Sequence, residues 1–256
     1  MNDIEAHPPI FRYRRYGVTI MEAWFDVLRP GQSHSDVIDY RQLARPLAGT
    51  RTSPFRTLIV PLSDPTETIF DQMKKDTRRD IRRAEDRDRS EYASCEELAS
   101  GVEEFLAFDA LFARHRGIAP AHPEGLRALA AQQALALSRV THTGETLSWH
   151  VFVVGSGRAR LLHSPSLAGD DARRQIIGRA NRFHHWRDML HFKSMGAASY
   201  DLGGWSGSAD PALARIDRFK EEFGGRLIVE YNCTATPTLL GRSYEWLRKV
   251  RSRSGL

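Results

Sequence analysis

The sequence predicts a mixed α/β fold, with helices on both faces of a central sheet and extra N-terminal strands along its edge. Three observations predict it. Stretches of alternating hydrophobicity interleave with longer stretches of period near 3.6 along the 256 residues. From residue 57 onward the order reads strand, three helices, three strands, helix, strand, helix, strand. A hydrophobic fraction of 41% is ordinary for a globular chain and supports a sizeable core.

Residues 11–31 alternate loosely around Tyr13, Val18, Ile20 and Trp24, which suits short strands ending at Arg29, Pro30 and Gly31. Residues 32–54 are polar, carry Pro46, Gly49 and Pro54, and read as loop with one short element. Residues 57–62 form an apolar strand, after which Asp64 or Thr66 can cap a helix over 67–88 with Ile69, Met73, Ile81 and Ala84 on its apolar side. Helical periodicity returns over 95–113 and, after Pro123, over 124–137. Strands follow at 139–144, 147–154 and 158–164, the last two joined by the tight turn Gly155, Ser156, Gly157. A helix over 181–195 stops at Gly196. Strand 199–202, helix 211–223, strand 227–231 and helix 243–250 complete the order, with glycine pairs at 203–204 and 224–225 as stops. The expected organisation is a strand-rich extension over 1–56 and one larger domain over 57–256.

Lysine plus arginine exceed aspartate plus glutamate by 37 to 32, an excess that suits an anionic partner without implying nucleic acid. The two cysteines, Cys95 and Cys233, form no metal-binding pattern, so buried thiols in a reducing compartment are expected. The N-terminus lacks the basic-then-apolar order of a signal peptide, and no apolar run is long enough to cross a bilayer; the expectation is a cytoplasmic protein without membrane insertion.

Two stretches resemble Fem-type acyltransferases, a branch of the GNAT superfamily. The first runs from the strand at Thr57 through Met73, Lys74, Lys75, Arg78, Ile81, Arg82, Arg83, Ala84 and Glu85. The second is Tyr200, Asp201, Leu202, Gly203, Gly204, followed by Phe219, Lys220, Phe223 and Gly224. The resemblance spans residues 57–231 and implies a GNAT-like sheet and acyl-transfer chemistry. It also places Lys220 in the donor region. The chain departs from the Fem pattern in having room for one complete GNAT-like domain. It also carries Gln175, Gly178, Arg179 and Ala180 in the spacing of the loop by which ordinary GNAT enzymes cradle the pyrophosphate of acyl-CoA. The tyrosine that many GNAT enzymes use as general acid has no counterpart in 211–219.

Acyl transfer to an amine requires a held donor, stabilisation of the carbonyl oxygen, and loss of the amine proton. The stretch 175–180, read as a loop, would supply backbone N–H groups to phosphate, with Arg174 and Arg179 pairing alongside and Gly178 and Ala180 leaving room. His163 is chemically able to act as base near neutral pH, although alternation puts Leu162 and His163 on opposite faces and leaves open which one meets the cleft. Asp201 could hold an ammonium acceptor, or cap the turn at Gly203 and Gly204. His184 and His185 are adjacent and lack a third ligand at suitable spacing, so no metal is expected.

The leading expectation is an N-acyltransferase using acyl-CoA or an acyl-carrier protein, with an amine of an amino acid or amino sugar as acceptor. The alternatives are a Fem-type aminoacyl-tRNA-dependent transferase acting on a cell-wall precursor, supported by the basic residues Lys75, Arg79, Arg82 and Arg83 on one helix side, and a non-catalytic GNAT-like binding protein.

Overall fold

The computed structural model describes residues 7–28, 34–95 and 98–253. The chain divides into two compact units, Thr57–Ile228, and Pro8–Arg56 together with the segment from Val229 onward. The last strand and helix therefore group with the N-terminal strands.

The larger unit holds the second part of β4 (Arg51–Pro61), from Thr57 onward, and α1 (Thr66–Asp71), α2 (Lys75–Asp86), β5 (Glu91–Ser94), α3 (Leu98–Arg116), α4 (Pro123–Ala131), β6 (Leu135–His142), β7 (Glu145–Gly155), β8 (Arg158–His163), α5 (Asp171–Ser194), β9 (Ser199–Gly204) and α6 (Pro211–Glu221). Its strands run β4-β9-β8-β7-β6-β5, with β8 and β9 parallel and every other neighbouring pair antiparallel. The sheet is mixed and has helices on both faces. Trp149 of β7 meets Phe105 of α3, while the next residue, His150, stacks on His184 of α5. Consecutive strand residues point to opposite faces, so α3 and α5 cover opposite sides. The main core lies on the α5 side, where Val60, Phe152, Ala159, Tyr200 and Leu202 meet Ile69, Ile81, Phe183 and Phe192.

The smaller unit contains β1 (Ile10–Arg15), β2 (Val18–Trp24), β3 (Val37–Leu43), most of β10 (Arg226–Ala235) and α7 (Leu239–Arg253). β1 pairs antiparallel with β2, β2 parallel with β3, and β3 antiparallel with β10. The expected strand end at 29–31 lies outside the described residues.

Several elements depart from the sequence expectation, each for a physical reason. Residues 32–54, expected as loop with one short element, contain β3 and the start of β4. Their polar residues are buried with partners: Asp39 accepts from Thr234 Oγ1 at 2.6 Å and Arg41 Nη2 at 3.1 Å, and Gln42 Nε2 donates to Glu230 at 2.9 Å. The expected helix over 67–88 breaks into α1 and α2, and the Lys74 N–H between them donates to Glu222 O at 2.9 Å. Helix 124–137 ends at Ala131; Gln133 turns with φ +53° and Leu135 opens β6. The short edge strand β5 alternates exposed and half-buried residues and left no apolar signature. The largest difference is α5, which begins at Asp171 and not near 181. Asp170 caps it by accepting from the Arg173 N–H at 2.9 Å. Of residues 173–180 only Ile177 and Ala180 are buried, so the first turns carry almost no apolar stripe.

Candidate active site

The parallel ladder between β8 and β9 has its last rung at Arg160 and Asp201, while β8 continues to His163 and β9 to Gly204. Gly203 is required in this opening. Its φ is +75°, and a Cβ there would come within 2.9 Å of the Leu161 carbonyl oxygen. Helix α6 brings Lys220 to the same place, and its Nζ donates to Gly204 O at 2.5 Å. Asp217, one turn earlier, accepts from the N–H groups of Ser206 and Gly207, each at 2.9 Å, and from the Ser206 hydroxyl at 2.6 Å. Burial alone would raise the Asp217 pKa, but these hydrogen bonds outweigh it and hold the carboxyl below its usual range. Asp217 thus fixes the loop that leaves β9.

Burial, reinforced by the Arg160 guanidinium, pulls the Lys220 ammonium from 10.5 down to about 8 against the opposing influence of Asp201 and Asp217. Lys220 therefore stays mostly charged at neutral pH yet can change protonation nearby. One of its N–H bonds is committed to Gly204, which leaves donors to direct into the strand opening.

His163 sits at the end of β8 with its ring centroid 5.7 Å from that of Phe105 in α3. A register shift between Val151 and Phe152 of β7 turns His163 toward α3, whereas Leu161 stays in the core facing α5. Burial pulls its pKa below the usual histidine range; Asp109 opposes this and Arg160 adds to it. The imidazole is neutral at pH 7 and chemically able to accept a proton.

Asp201 is in the expected strand but is fully buried, with both oxygens engaged. Oδ1 accepts from the Thr57 hydroxyl and, at 2.8 Å, from the Gly203 N–H. Oδ2 accepts from Arg158 Nε at 3.0 Å and Nη2 at 2.5 Å. Its lone pairs hold Arg158 and the turn at Gly203, so the geometry makes it the anionic half of an internal ion pair and not an exposed acceptor-binding group. Arg158 and Arg160 escaped the sequence reading. Their signal was two arginines alternating with Ala159 and Leu161 in a strand beside the opening.

The expected phosphate-binding loop at 175–180 is helix. Gln175, Gly178, Arg179 and Ala180 lie within α5, past its first turn, where backbone N–H groups are committed to the helix ladder. Arg179 forms a two-pronged ion pair with Asp88 at 2.6 and 2.9 Å, Ala180 is in the core, and Arg174 pairs with Asp171. A Cβ on Gly178 would meet only Arg182 Nη1, at 3.8 Å. No backbone cradle exists at 175–180, and the residues as folded do not fit that mode of holding a pyrophosphate.

The histidines of α5 form a buried network that spacing alone did not reveal, because their partners on the sheet come from β6, β7 and β9. His184 stacks on His150 with centroids 3.6 Å apart and planes 4° apart. Ser138 Oγ lies 2.9 Å from His184 Nε2 and donates to Asp188 at 2.6 Å; Ser148 Oγ lies 2.8 Å from His184 Nδ1. His150 Nδ1 is 2.6 Å from Asp188 Oδ2, and His185 Nδ1 is 2.7 Å from the Tyr200 hydroxyl. The Tyr92 hydroxyl lies beside Asp188 without closing a hydrogen bond of ordinary geometry. Donor atoms of His150, His184 and Asp188 all lie within 4.8 Å of one another, a grouping that could hold a metal ion. The parallel rings direct their in-plane lone pairs side by side, and both His184 nitrogens already have hydroxyl partners. Hydrogen bonds thus satisfy most of this cluster without an ion.

Burial pushes Asp188 up to about 8 and His150 down to about 3, so the pair is held neutral. The folded pKa of Asp188 lies above its ordinary 3.8, so its contribution to stability is complete below that value and is lost as pH rises toward about 8. That of His150 lies below 6.5, so its contribution is present above that value and is lost on acidification. Asp188→Asn mimics the neutral carboxyl and cannot ionise. Wild type is expected to lose stability relative to this variant between pH 5 and 8, by up to about 1.4 kcal/mol per pH unit. Thermal midpoints across that range check it; parallel curves for the two proteins would refute a protonated Asp188.

The order of elements, the mixed sheet and the opening between two parallel strands define the GNAT/FemAB-like fold. Among solved structures the chain is similar to FemX, with 13% identity and a TM-score of 0.57 over 70% of this chain and 61% of that one. It thus spans about three fifths of FemX. It is also similar to the C-terminal DUF2156 domain of a putative lysylphosphatidylglycerol synthetase from Agrobacterium fabrum, at 13% identity and TM-score 0.57 over 94% and 85% of the two chains. A third likeness is to L-PGS from Bacillus licheniformis, at 12% identity and TM-score 0.52 over 95% and 86%. No family model and no curated protein sequence matches the chain. At these identities the likeness concerns the fold. No helix among the described residues is long and apolar enough to cross a membrane.

Proposed function

We propose that this chain is an acyltransferase that moves an acyl group onto an amine of an amino acid or amino sugar at the open end of β8 and β9. The observation that carries this reading is Lys220, a cation pulled down to about 8 and held over a strand opening by Gly204. An ammonium there would stabilise negative charge developing on the donor carbonyl or on a phosphate of the donor's carrier. His163, neutral near pH 7, would take the proton that the acceptor amine must lose.

Acyl-CoA or an acyl-carrier protein remains the expected donor class, but without a backbone cradle at 175–180 any phosphate would be held by side chains. A specific observation favours the Fem-type donor, aminoacyl-tRNA, as second reading. Lys75, Arg78, Arg79, Arg82, Arg83 and Arg87 line one surface depression along α2, with Asp86 as its only acidic lining residue. FemX and the putative lysylphosphatidylglycerol synthetase domain share this fold.

Stabilisation of the protein by acyl-CoA, against salt-sensitive binding of charged tRNA, separates the two donors. The test of the reaction itself is His163→Ala. Turnover is expected to fall about 10²-fold, and the acidic limb of the pH–rate profile, which lies below 6.5, is expected to vanish. Near-normal turnover with an unchanged profile would remove His163 from the mechanism.

A further inference from the structure

Helix α7 has an inner and an outer face of opposite character. Inward, Gly241 lies so close to Asp36 that a Cβ would come within 1.8 Å of its carbonyl oxygen, Glu245 takes Arg51 Nη2 at 2.5 Å, and Tyr244 packs on the cluster of Val18, Ile20 and Val37. Outward, Leu239, Leu240, Trp246 and Leu247 are 78%, 52%, 64% and 53% exposed. With Ser243 and Val250 they fall within about a third of the helix circumference at 100° per residue. That is a continuous apolar stripe, not scattered surface leucines.

The stripe is bordered by positive charge. Arg242 and Lys249 are exposed along one side of it, and the sequence of α7 carries Arg242, Arg248, Lys249, Arg251 and Arg253 against Glu245 alone. The turn between β1 and β2 adds to the same surface. Arg15, Tyr16 and Val18 line a cavity of about 430 Å³ together with Leu240, Tyr244 and Leu247. Tyr16 is 78% exposed, with the Arg15 guanidinium 5.5 Å from its ring centroid, and Arg14 is also exposed.

We propose that this face docks on the surface of an anionic lipid bilayer, with α7 lying in the interfacial plane. An apolar stripe of Leu and Trp flanked by Lys and Arg, on a helix about 22 Å long, is the pattern that settles at the headgroup boundary without crossing. Trp246 and Tyr16 suit that depth. A second copy of the chain is disfavoured by charge, because self-pairing of two α7 helices would bring Arg242 and Lys249 against their own counterparts. None of these residues belongs to the opening at β8 and β9, so the inference is independent of the acyl-transfer reading.

The test is cosedimentation of the full chain with phosphatidylcholine vesicles and with vesicles containing phosphatidylglycerol. Binding is expected to be at least tenfold tighter to the anionic vesicles and to weaken with salt. The double variant Arg242→Glu and Lys249→Glu should lose more than tenfold, at about fivefold per cation removed. Leu240→Ser with Leu247→Ser should lose at least tenfold. All four positions are exposed, and an unchanged thermal midpoint verifies that the variants fold. Equal binding to both vesicle types, no binding to either, or variants that bind like wild type would overturn the proposal. A concentration-dependent dimer that is dispersed by the serine variants, with no vesicle binding, would overturn it in favour of an interface between copies.

Discussion

Replacing Lys220 with methionine is expected to lower kcat/KM by about 10²–10³-fold while leaving the protein folded and no less stable. The loss follows from removing a preorganised cation where charge develops. The stability follows from what the lysine costs the fold. Its depression from 10.5 to about 8 corresponds to about 3 kcal/mol against burying the charge at neutral pH. Because its folded pKa lies below the unfolded one, stability should rise as pH climbs from about 8 toward 10.5, and Lys220→Met should abolish that rise. A charge kept at such a cost suits function over stability. Lys220→Arg separates charge from titration. It should retain part of the activity and lose the alkaline limb near pH 8, because the guanidinium stays protonated throughout. Steady-state kinetics over pH, with thermal midpoints of the same variants, check this. Wild-type kinetics in Lys220→Met would end its role in transfer.

Asp201→Ala is expected to destabilise the protein by about 3–5 kcal/mol, the cost of leaving a buried charge without its partner. Arg158 is 8% exposed, and the Gly203 N–H would lose its acceptor with it, whereas the Thr57 hydroxyl keeps Gly203 O at 2.9 Å. In a chain of this size the thermal midpoint should fall by about 10 °C. Replacing both partners with apolar residues, Arg158→Met with Asp201→Leu, should recover much of the loss, because the penalty comes from the orphaned charge and not from absence of the pair. Urea denaturation of the two single variants and the double variant measures the coupling. Folded, fully stable Asp201→Asn with selectively weakened acceptor binding would instead return Asp201 to a substrate-binding role.

Elements with a strong local signal were legible before the structure. The hairpin of β7 and β8 follows from alternation around a glycine turn, and β9 from the short stretch Ser199 to Leu202 that the glycine pair 203–204 closes. The Fem-like motifs led to Lys220, and α6 brings it to the strand end beside Gly204. Legibility failed where polar residues are buried with distant partners. In β3, Asp39 and Gln42 look like loop residues because Thr234 and Glu230, which satisfy them, lie about 190 positions away along the chain. It failed again in the first turns of α5, where Gly178 among arginines reads as a flexible loop although each arginine has an acidic neighbour.

Periodicity and motif order were enough to decide the fold class, most helices and strands, and the position of Lys220, because hydrophobic faces and glycine stops act over a few residues. Long-range pairing decided the rest. Arg158 turned Asp201 into an ion-pair partner, an extra residue in β8 opposite Val151 and Phe152 of β7 aimed His163 at α3, and His150 with Asp188 made a neutral network of the α5 histidines. Each outcome depends on which groups share a buried volume. Desolvation there sets charge and hydrogen bonding, and no local pattern in the chain encodes which distant side chain will supply the partner.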